Sequence, residues 1–534
     1  MIYIFWIILL EAVFPQLPLE YTLISMSDLE RFESNSDTGL VSNAIWDIRS
    51  SNDELLFFGT GAGLSFADLS SSFNIQYGHF TSLALPRGGN TALTIGNGII
   101  AVSGVVDTIT ATGDHEPKGT GVAYSKDEGE NWTYLPQPVD TIPNESTNGY
   151  QTISWGYQAV SALAVTTDIR NVSYDIAIGN KYIYTANWAS GIRRYSHLPT
   201  TASETKNWEI IPLPMDNDLE LLCGKIDVEN YEFNPRDPGD GGNHNHKGFG
   251  VYVIENTLWA GTAAGINKGI ISGDCINWVR HYQSGLDNIS GNWVIGFTHQ
   301  EMDGFIRLWA ITWATNAEIE KYALSYTDDG GESWHITSPS GGYSKSERIV
   351  NLYANSNRIW ATSLLGLYVS EDGEHWEKYN RPVDSESGEE ILSESVYSAY
   401  YSQSHQTLWM GTSDGLALIN DEASIVTRFW DSPSPFSVYP NPFLVNDYNQ
   451  VENDGHVRFI YSNPNEQLGR IDVFDFSMDH VVHLNNQNLI SMDGENEIIW
   501  NGRNDYGDKV ANGVYFCRLF LNGEYYWTKL AVIN

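Results

Sequence analysis

The sequence predicts an all-β fold, and three observations carry that expectation. A strand–turn–strand unit recurs at a fixed spacing, the unit shows no helical period, and short strands continue after the recurrence stops. The clearest copy is Arg358 to Trp376, R-I-W-A-T-S-L-L-G-L-Y-V-S-E-D-G-E-H-W. Its first segment, Arg358–Thr362, is rich in β-favouring side chains, and Leu365-Gly366 breaks the run where a hairpin must reverse. Leu367–Ser370 starts a further strand, and Glu371-Asp372-Gly373 supplies turn chemistry before Trp376.

Leu408-Trp409-Met410-Gly411-Thr412 and Leu258-Trp259-Ala260-Gly261-Thr262 repeat the first half, and Leu308-Trp309-Ala310 marks another copy. The tryptophans at 259, 309, 360 and 409 are spaced by 50, 51 and 49 residues. A period of roughly 40–50 residues built from short strands is the mark of a β-propeller blade. Weaker copies stand upstream at Leu56–Thr60, Ile99–Ala101 and Ile183–Thr185, which brings the expectation to seven blades over about residues 35–430.

In each blade an alternating inner strand is expected to come first, such as Ala159–Val165, Gly250–Ile254 or Trp293–Phe297. The W-x-G-T element forms the second strand and the Gly-Leu element opens the third. A second pattern then follows. Ser125-Lys126-Asp127-Glu128-Gly129-Glu130-Asn131-Trp132 reads S-x-D-x-G-x-x-W, and Thr327, Asp329, Gly331 and Trp334 repeat it. Shorter versions are Ser370, Asp372, Gly373 and Trp376, and Ser272, Asp274 and Trp278, the last without its glycine. These turns resemble the Asp-box (BNR) hairpins of sialidases, sortilin-like receptors and xyloglucanase-type propellers. The W-x-G-T-x-x-G-L element also resembles the two-component-regulator type of propeller repeat.

Both likenesses speak for architecture. A turn aspartate accepts backbone N–H groups of its own turn, for a net gain of about 1 kcal/mol. A buried indole removes ~150–250 Å² from water, or roughly 4–6 kcal/mol. The tryptophan therefore supplies most of the energy, and the turn carboxylates are engaged before any ligand arrives.

The 534 residues carry 67 acidic against 29 basic side chains, a net charge of −38. Such a field repels nucleic acid and anionic membrane surfaces, so neither is an expected partner. Eighteen tryptophans and 30 tyrosines argue for a large packed core. Cys223, Cys275 and Cys517 match no zinc spacing, and free buried thiols are expected. Ile2–Leu10 is too short to span a bilayer; residues 1–14 read as a secretory signal segment, although no Lys or Arg precedes the apolar run. No further stretch is apolar enough to anchor the chain.

Two connections are long, Thr133–Gln158 and Pro214–Phe249. Each joins an outer strand to the next inner one, so both emerge on one face of the disc, opposite the Asp-box turns. Long loops on a rigid scaffold are where binding resides. The candidate ligand site on that face comprises Trp155, Tyr157, Trp188, His244, His246 and Trp313. Aromatic faces beside polar groups suit sugar rings or a protein ligand; the competing reading is that these rings pin the loops to the disc. His244-x-His246 could ligate a metal if an acid joined it, and that question stays open. No G-x-S-x-G, P-loop or HExxH motif is present, no catalytic residue is assigned and no cofactor is expected. A sialidase would need an arginine triad, and Leu85-Pro86-Arg87-Gly88 does not match its R-I-P signature. A glycoside-hydrolase carboxylate pair is the alternative to a binding or scaffold module.

Asp431-Ser432-Pro433-Ser434-Pro435 reads as a linker, 431–436, because clustered Pro and Ser cannot continue a sheet. Residues 437–534 then show strands at sandwich spacing. V-Y-P-N-P-F from Val438, I-D-V-F-D-F from Ile471, W-N-G-R-N-D-Y-G from Trp500, V-A-N-G-V-Y-F-C-R-L from Val510 and the closing K-L-A-V-I-N occur in order. This stretch resembles the type IX secretion C-terminal sorting domain and the Ig-like domain of flagellar hook-capping proteins. The resemblance implies an Ig-like sandwich and a secreted or cell-surface bacterial protein that uses the domain to engage secretion machinery.

Overall fold

A computed structural model describes residues 39–534 except 71–74, 142–147, 199–206, 316, 387, 421–422, 428–435, 447–448, 463–469, 486–494 and 522. Residues 1–14, expected to be a signal segment, and residues 431–435 of the expected linker lie outside the described residues. Within them the chain is all-β, and its only helical turns are three-residue 3-10 segments such as Pro238–Asp240. No helix among the described residues is long and apolar enough to cross a membrane.

Seven four-stranded sheets succeed one another, each antiparallel with its strands in chain order. Their first strands are Ile45–Ser50, Leu93–Gly96, Ser173–Ile178, Gly248–Ile254, Trp293–Met302, Ile349–Ala354 and Val396–Ser402. Bonds between successive sheets run through the series and back to its start. Asn90 N–H donates to the Thr60 carbonyl at 2.8 Å, and Thr91 Oγ1 donates to the Ser173 carbonyl at 2.6 Å. Val251 N–H donates to Asp175 at 2.9 Å, and Lys268 Nζ to the Gly330 carbonyl at 2.6 Å. Trp313 Nε1 donates to the Ile349 carbonyl at 2.7 Å and Thr362 Oγ1 to the Tyr397 carbonyl at 3.3 Å. Ser398 Oγ, in the seventh sheet, donates to the Ile45 carbonyl of the first at 3.2 Å. The sheets form a closed cycle.

The recurring G-T-x-x-G element has a local cause. Thr60, Thr262 and Thr412 each end a second strand and donate a hydroxyl to the carbonyl of the glycine three residues on, and Ser363 does the same. Each hydroxyl also accepts the N–H two residues on, which closes the turn. The receiving glycines, Gly63, Gly265, Gly366 and Gly415, all hold φ between +113° and +141°, which a side chain would oppose.

A β-bulge interrupts the first strand of six sheets at the same place, between Ile45 and Asp47, Ser173 and Asp175, Gly248 and Gly250, Val294 and Gly296, Ile349 and Asn351, and Val396 and Ser398. The bulged residues are Trp46, Tyr174, Phe249, Ile295, Val350 and Tyr397, and all six join one apolar cluster. All six lie on first strands, the inner side of the cycle. The bulges thus build an apolar plug there.

Two expectations are corrected. Ala159–Val165 supplies no inner strand: Gln158–Leu163 pairs with Tyr150–Trp155 as a hairpin between the second and third sheets, and the third sheet opens at Ser173. The alternation of this hairpin reflects one covered face, which a sheet outside the cycle also has. Cys223 and Cys275 are not free thiols but form a disulfide, with Cα atoms 5.8 Å apart across 52 residues. Asn277 Oδ1 accepts the Cys223 N–H at 3.1 Å and brings the distant segment alongside. Cys517 is a free buried thiol.

After the seventh sheet, a three-stranded sheet (Phe436–Tyr439, Val457–Ser462, Glu495–Trp500) and a five-stranded sheet share one core. The five-stranded sheet orders Phe443–Leu444, Glu524–Ile533, Gly513–Leu521, Arg470–Phe474 and His480–Asn485. Phe436 is buried in this core, so the module begins inside the stretch read as linker. The module also meets the seventh sheet. Arg458 is buried and donates to Asp414 at 2.6 and 3.1 Å, to Glu497 at 2.7 Å and to the Glu390 carbonyl at 2.9 Å. Ser413 Oγ donates to Asn449 at 2.7 Å beside it.

Candidate functional site

The two long connections interlock. Tyr150–Trp155 and Gln158–Leu163 form a hairpin, and Glu232–Phe233 from the second connection pairs with it in parallel. Asn234 donates its amide to Tyr150 and Glu232, each at 3.0 Å, while Arg236 donates to the Tyr150 hydroxyl at 2.8 Å.

The six residues expected in a ligand site divide sharply. Trp155 is 3% exposed, packs in a core and carries the Arg194 guanidinium 4.7 Å over its ring. Trp313, also 3% exposed, spends its indole N–H on the Ile349 carbonyl. His246 is fully buried; Nδ1 accepts the Asn234 N–H at 2.9 Å and Nε2 donates to the Leu213 carbonyl at 3.1 Å. Burial drives its pKa down to about 4, so the ring stays neutral. These three serve packing: Trp155 and His246 are covered where the two connections fold on each other, and Trp313 ends a second strand and packs in the apolar plug. With both nitrogens of His246 engaged, His244-x-His246 offers no paired ligands. Tyr157 stands fully exposed at the hairpin turn, alone.

Trp188 and His244 remain, and they are neighbours through Lys247. Trp188 lies in the turn between the second and third strands of the third sheet, half-buried against Phe249 with ring centroids 5.2 Å apart. Phe249 in turn touches Trp293 at 5.8 Å and Tyr174 at 5.9 Å. The Lys247 ammonium sits 4.9 Å from the Trp188 ring centre, pairs with Asp237 and lies 3.4 Å from His244 Nδ1. Burial and the Lys247 charge lower the His244 pKa. The aromatic plug thus reaches the surface at Trp188 and Trp293, edged by a cation, a carboxylate and an imidazole. Sequence reasoning placed Asp237 on the insertion-bearing face but missed Trp293 and Lys247. Trp293 opens an inner strand, Lys247 and Asp237 flank a glycine-rich loop, and only the bulge geometry brings them to Trp188.

Three of the four expected box turns close on themselves. Asp127, Asp329 and Asp372 each accept an N–H of their own turn at 2.8–2.9 Å, and Ser125, Thr327 and Ser370 each accept the N–H of the turn glycine at 2.8–2.9 Å. Gly129, Gly331 and Gly373 hold φ between +85° and +99°. The turn at Ser272 departs from this. Asp274 bonds Tyr182 at 2.8 Å and pairs with Lys181, and Trp278 is an in-strand residue whose indole donates to Pro212 at 2.6 Å. Without the glycine, a two-residue Gly273-Asp274 reversal replaces the box.

Two carboxyls follow the axial bulges. Asp175 accepts the Ile176 and Val251 N–H groups, both at 2.9 Å, and burial pushes its pKa up to about 7. Asp47 accepts the Ile48 N–H at 2.9 Å and the Asn351 amide at 3.2 Å, and burial raises its pKa against the pull of Arg49. Both act as struts between strands.

No family model and no curated protein matches this chain. Solved structures do. One is PorZ, a surface component of the type IX secretion system of Porphyromonas gingivalis, at 13% identity and TM-score 0.39, covering 90% of this chain and 64% of that one. The chain therefore spans less than two thirds of PorZ. AztD from Citrobacter koseri aligns at 9% identity and TM-score 0.28, over 85% of this chain and 89% of that one. An extracellular domain assigned to a hybrid two-component system of B. thetaiotaomicron aligns at 10% identity and TM-score 0.21, over 92% and 80%.

Proposed function

We propose that this chain is a seven-bladed β-propeller with an Ig-like C-terminal domain, and that it works as a saccharide-binding module at a bacterial cell surface. The carrying observation is the partly exposed Trp188, backed by Phe249 and overlain by Lys247, on the face where both long connections meet. An indole face stacks on the C–H face of a sugar ring, while Lys247, Asp237 and His244 offer hydroxyl partners of both polarities. The remaining acidic surface disfavours polyanions, so neutral saccharides are the expected class. Delivery rests on the C-terminal motifs and their resemblance to sorting domains; in this reading secretion machinery recognises that domain.

A glycan array probed with the full chain tests the binding half. Hits among neutral oligosaccharides that vanish with Trp188→Ala support it, and hits indifferent to Trp188 refute it. Fusing residues 436–534 to a passenger in a bacterium with type IX export tests delivery. A passenger retained in the periplasm would leave the domain as a plain sandwich.

A further inference from the structure

We infer that Asp472, His480 and His483 form a binding site for one zinc-class transition-metal ion on the outer face of the C-terminal five-stranded sheet. The cluster begins with a register effect. Along a regular strand, residues three apart point to opposite faces. A β-bulge between Val473 and Phe474 leaves Val481 unpaired, so that Asp472 faces His483 and Phe474 faces His480. The bulge returns both imidazoles to one face, a re-aiming that bulges commonly perform near sites.

The donor atoms then converge. Asp472 Oδ1 lies 2.7 Å from His483 Nδ1 and 3.9 Å from His480 Nε2. All three donor atoms fall within 4.8 Å of one another. Ligands on a tetrahedral zinc at roughly 2.0–2.2 Å stand a little over 3 Å apart, so small side-chain rotations suffice. Two imidazoles and one carboxylate suit zinc or its neighbours rather than calcium or magnesium. The two histidines are partly exposed, leaving a fourth position open to water.

The surroundings orient these donors. Asp472 Oδ2, the oxygen turned away, accepts Arg518 at 2.7 Å and Arg470 at 3.3 Å, which fixes the carboxylate and leaves Oδ1 for the ion. His480 Nδ1 lies 3.5 Å from Asp505 Oδ2, so the carboxylate can hold that nitrogen while Nε2 faces inward. The two arginines offset the charge of the two aspartates, so binding depends on the imidazoles more than on field.

The test titrates chelator-treated full-length chain with Zn²⁺ alone and, separately, with Co²⁺, whose visible bands report its coordination. One equivalent should disappear in His480→Ala and in His483→Ala, and persist in His335→Ala. Asp505→Asn should weaken that equivalent by roughly 10–100-fold, as loss of an orienting partner does. His480→Gln with His483→Gln, which keeps size and polarity, accompanies the alanine variants in case they fold poorly. Unchanged stoichiometry and affinity in that folded double variant would overturn the site.

Discussion

The indole of Trp334 stands edge-on to that of Trp259, centroids 6.1 Å apart and planes at 86°, although the two belong to different sheets. Trp376 meets Trp309 in the same way at 6.2 Å, and Trp132 meets Phe80 at 5.7 Å. Each box tryptophan therefore leaves its own hairpin and clasps the preceding sheet. The box glycine lies flat on the same surface: a Cβ on Gly331 would come 2.3 Å from the Tyr282 hydroxyl, and one on Gly373 2.6 Å from Trp309.

Trp334→Ala should cost roughly 3–5 kcal/mol in denaturant unfolding, since it empties a packed contact between sheets. Gly331→Ala should also destabilise, through both positive φ and the clash with Tyr282. A loss below about 1 kcal/mol for Trp334→Ala would show that the clasp contributes little.

Much of this was legible in the sequence. The tryptophans at 259, 309, 360 and 409 fall in second strands and are all buried, because period and burial follow from one repeated unit. The box turns at Asp127, Asp329 and Asp372 are local, so their bonds could be read from spacing. The site was less legible. Trp155 and Trp313 look like loop aromatics, but what covers them comes from segments far away in the chain. The Cys223–Cys275 bridge and the Lys247–Trp188 contact depend on how two connections fold over one another, which no short-range pattern encodes.

Arg458→Ala should destabilise by about 3–5 kcal/mol, because it removes the cation that faces the buried Asp414 carboxylate. The loss should appear in the joint unfolding of the seventh sheet and the C-terminal module. Asp414→Asn, which keeps an acceptor, should cost less. Hydrogen exchange across the seventh sheet reads both; protection unchanged in Arg458→Ala would deny the coupling.

Acid should act through two buried groups of opposite sign. His246 titrates near 4 in the fold against about 6.5 unfolded, so the unfolded chain binds the extra proton between these values. Stability from this group is full above pH ~6.5 and falls by up to about 3 kcal/mol as pH drops to about 4. Asp175, raised to about 7, binds its proton earlier in the fold and gains stability as pH falls from about 7 towards 4. Unfolding midpoints should therefore decline less with acid in His246→Gln and more in Asp175→Asn. Parallel pH profiles for all three proteins would contradict both assignments.

Reducing the Cys223–Cys275 bridge, or replacing it by serines, should cost up to about 4 kcal/mol by loop-closure entropy. The opening should be local, freeing the second connection from the fourth sheet, and limited proteolysis near Leu221–Lys225 reports it. Equal cleavage of oxidised and reduced protein would exclude that role.

In the proposed function, saccharide stacks on the exposed face of Trp188. Calorimetric titration of a neutral oligosaccharide drawn from the array, against wild type, Trp188→Ala and Tyr157→Ala, tests it directly. Trp188→Ala should weaken binding by about 1–3 kcal/mol with the fold intact, while Tyr157→Ala, on the separate exposed hairpin, should leave it unchanged. Full affinity in folded Trp188→Ala protein would contradict the claim.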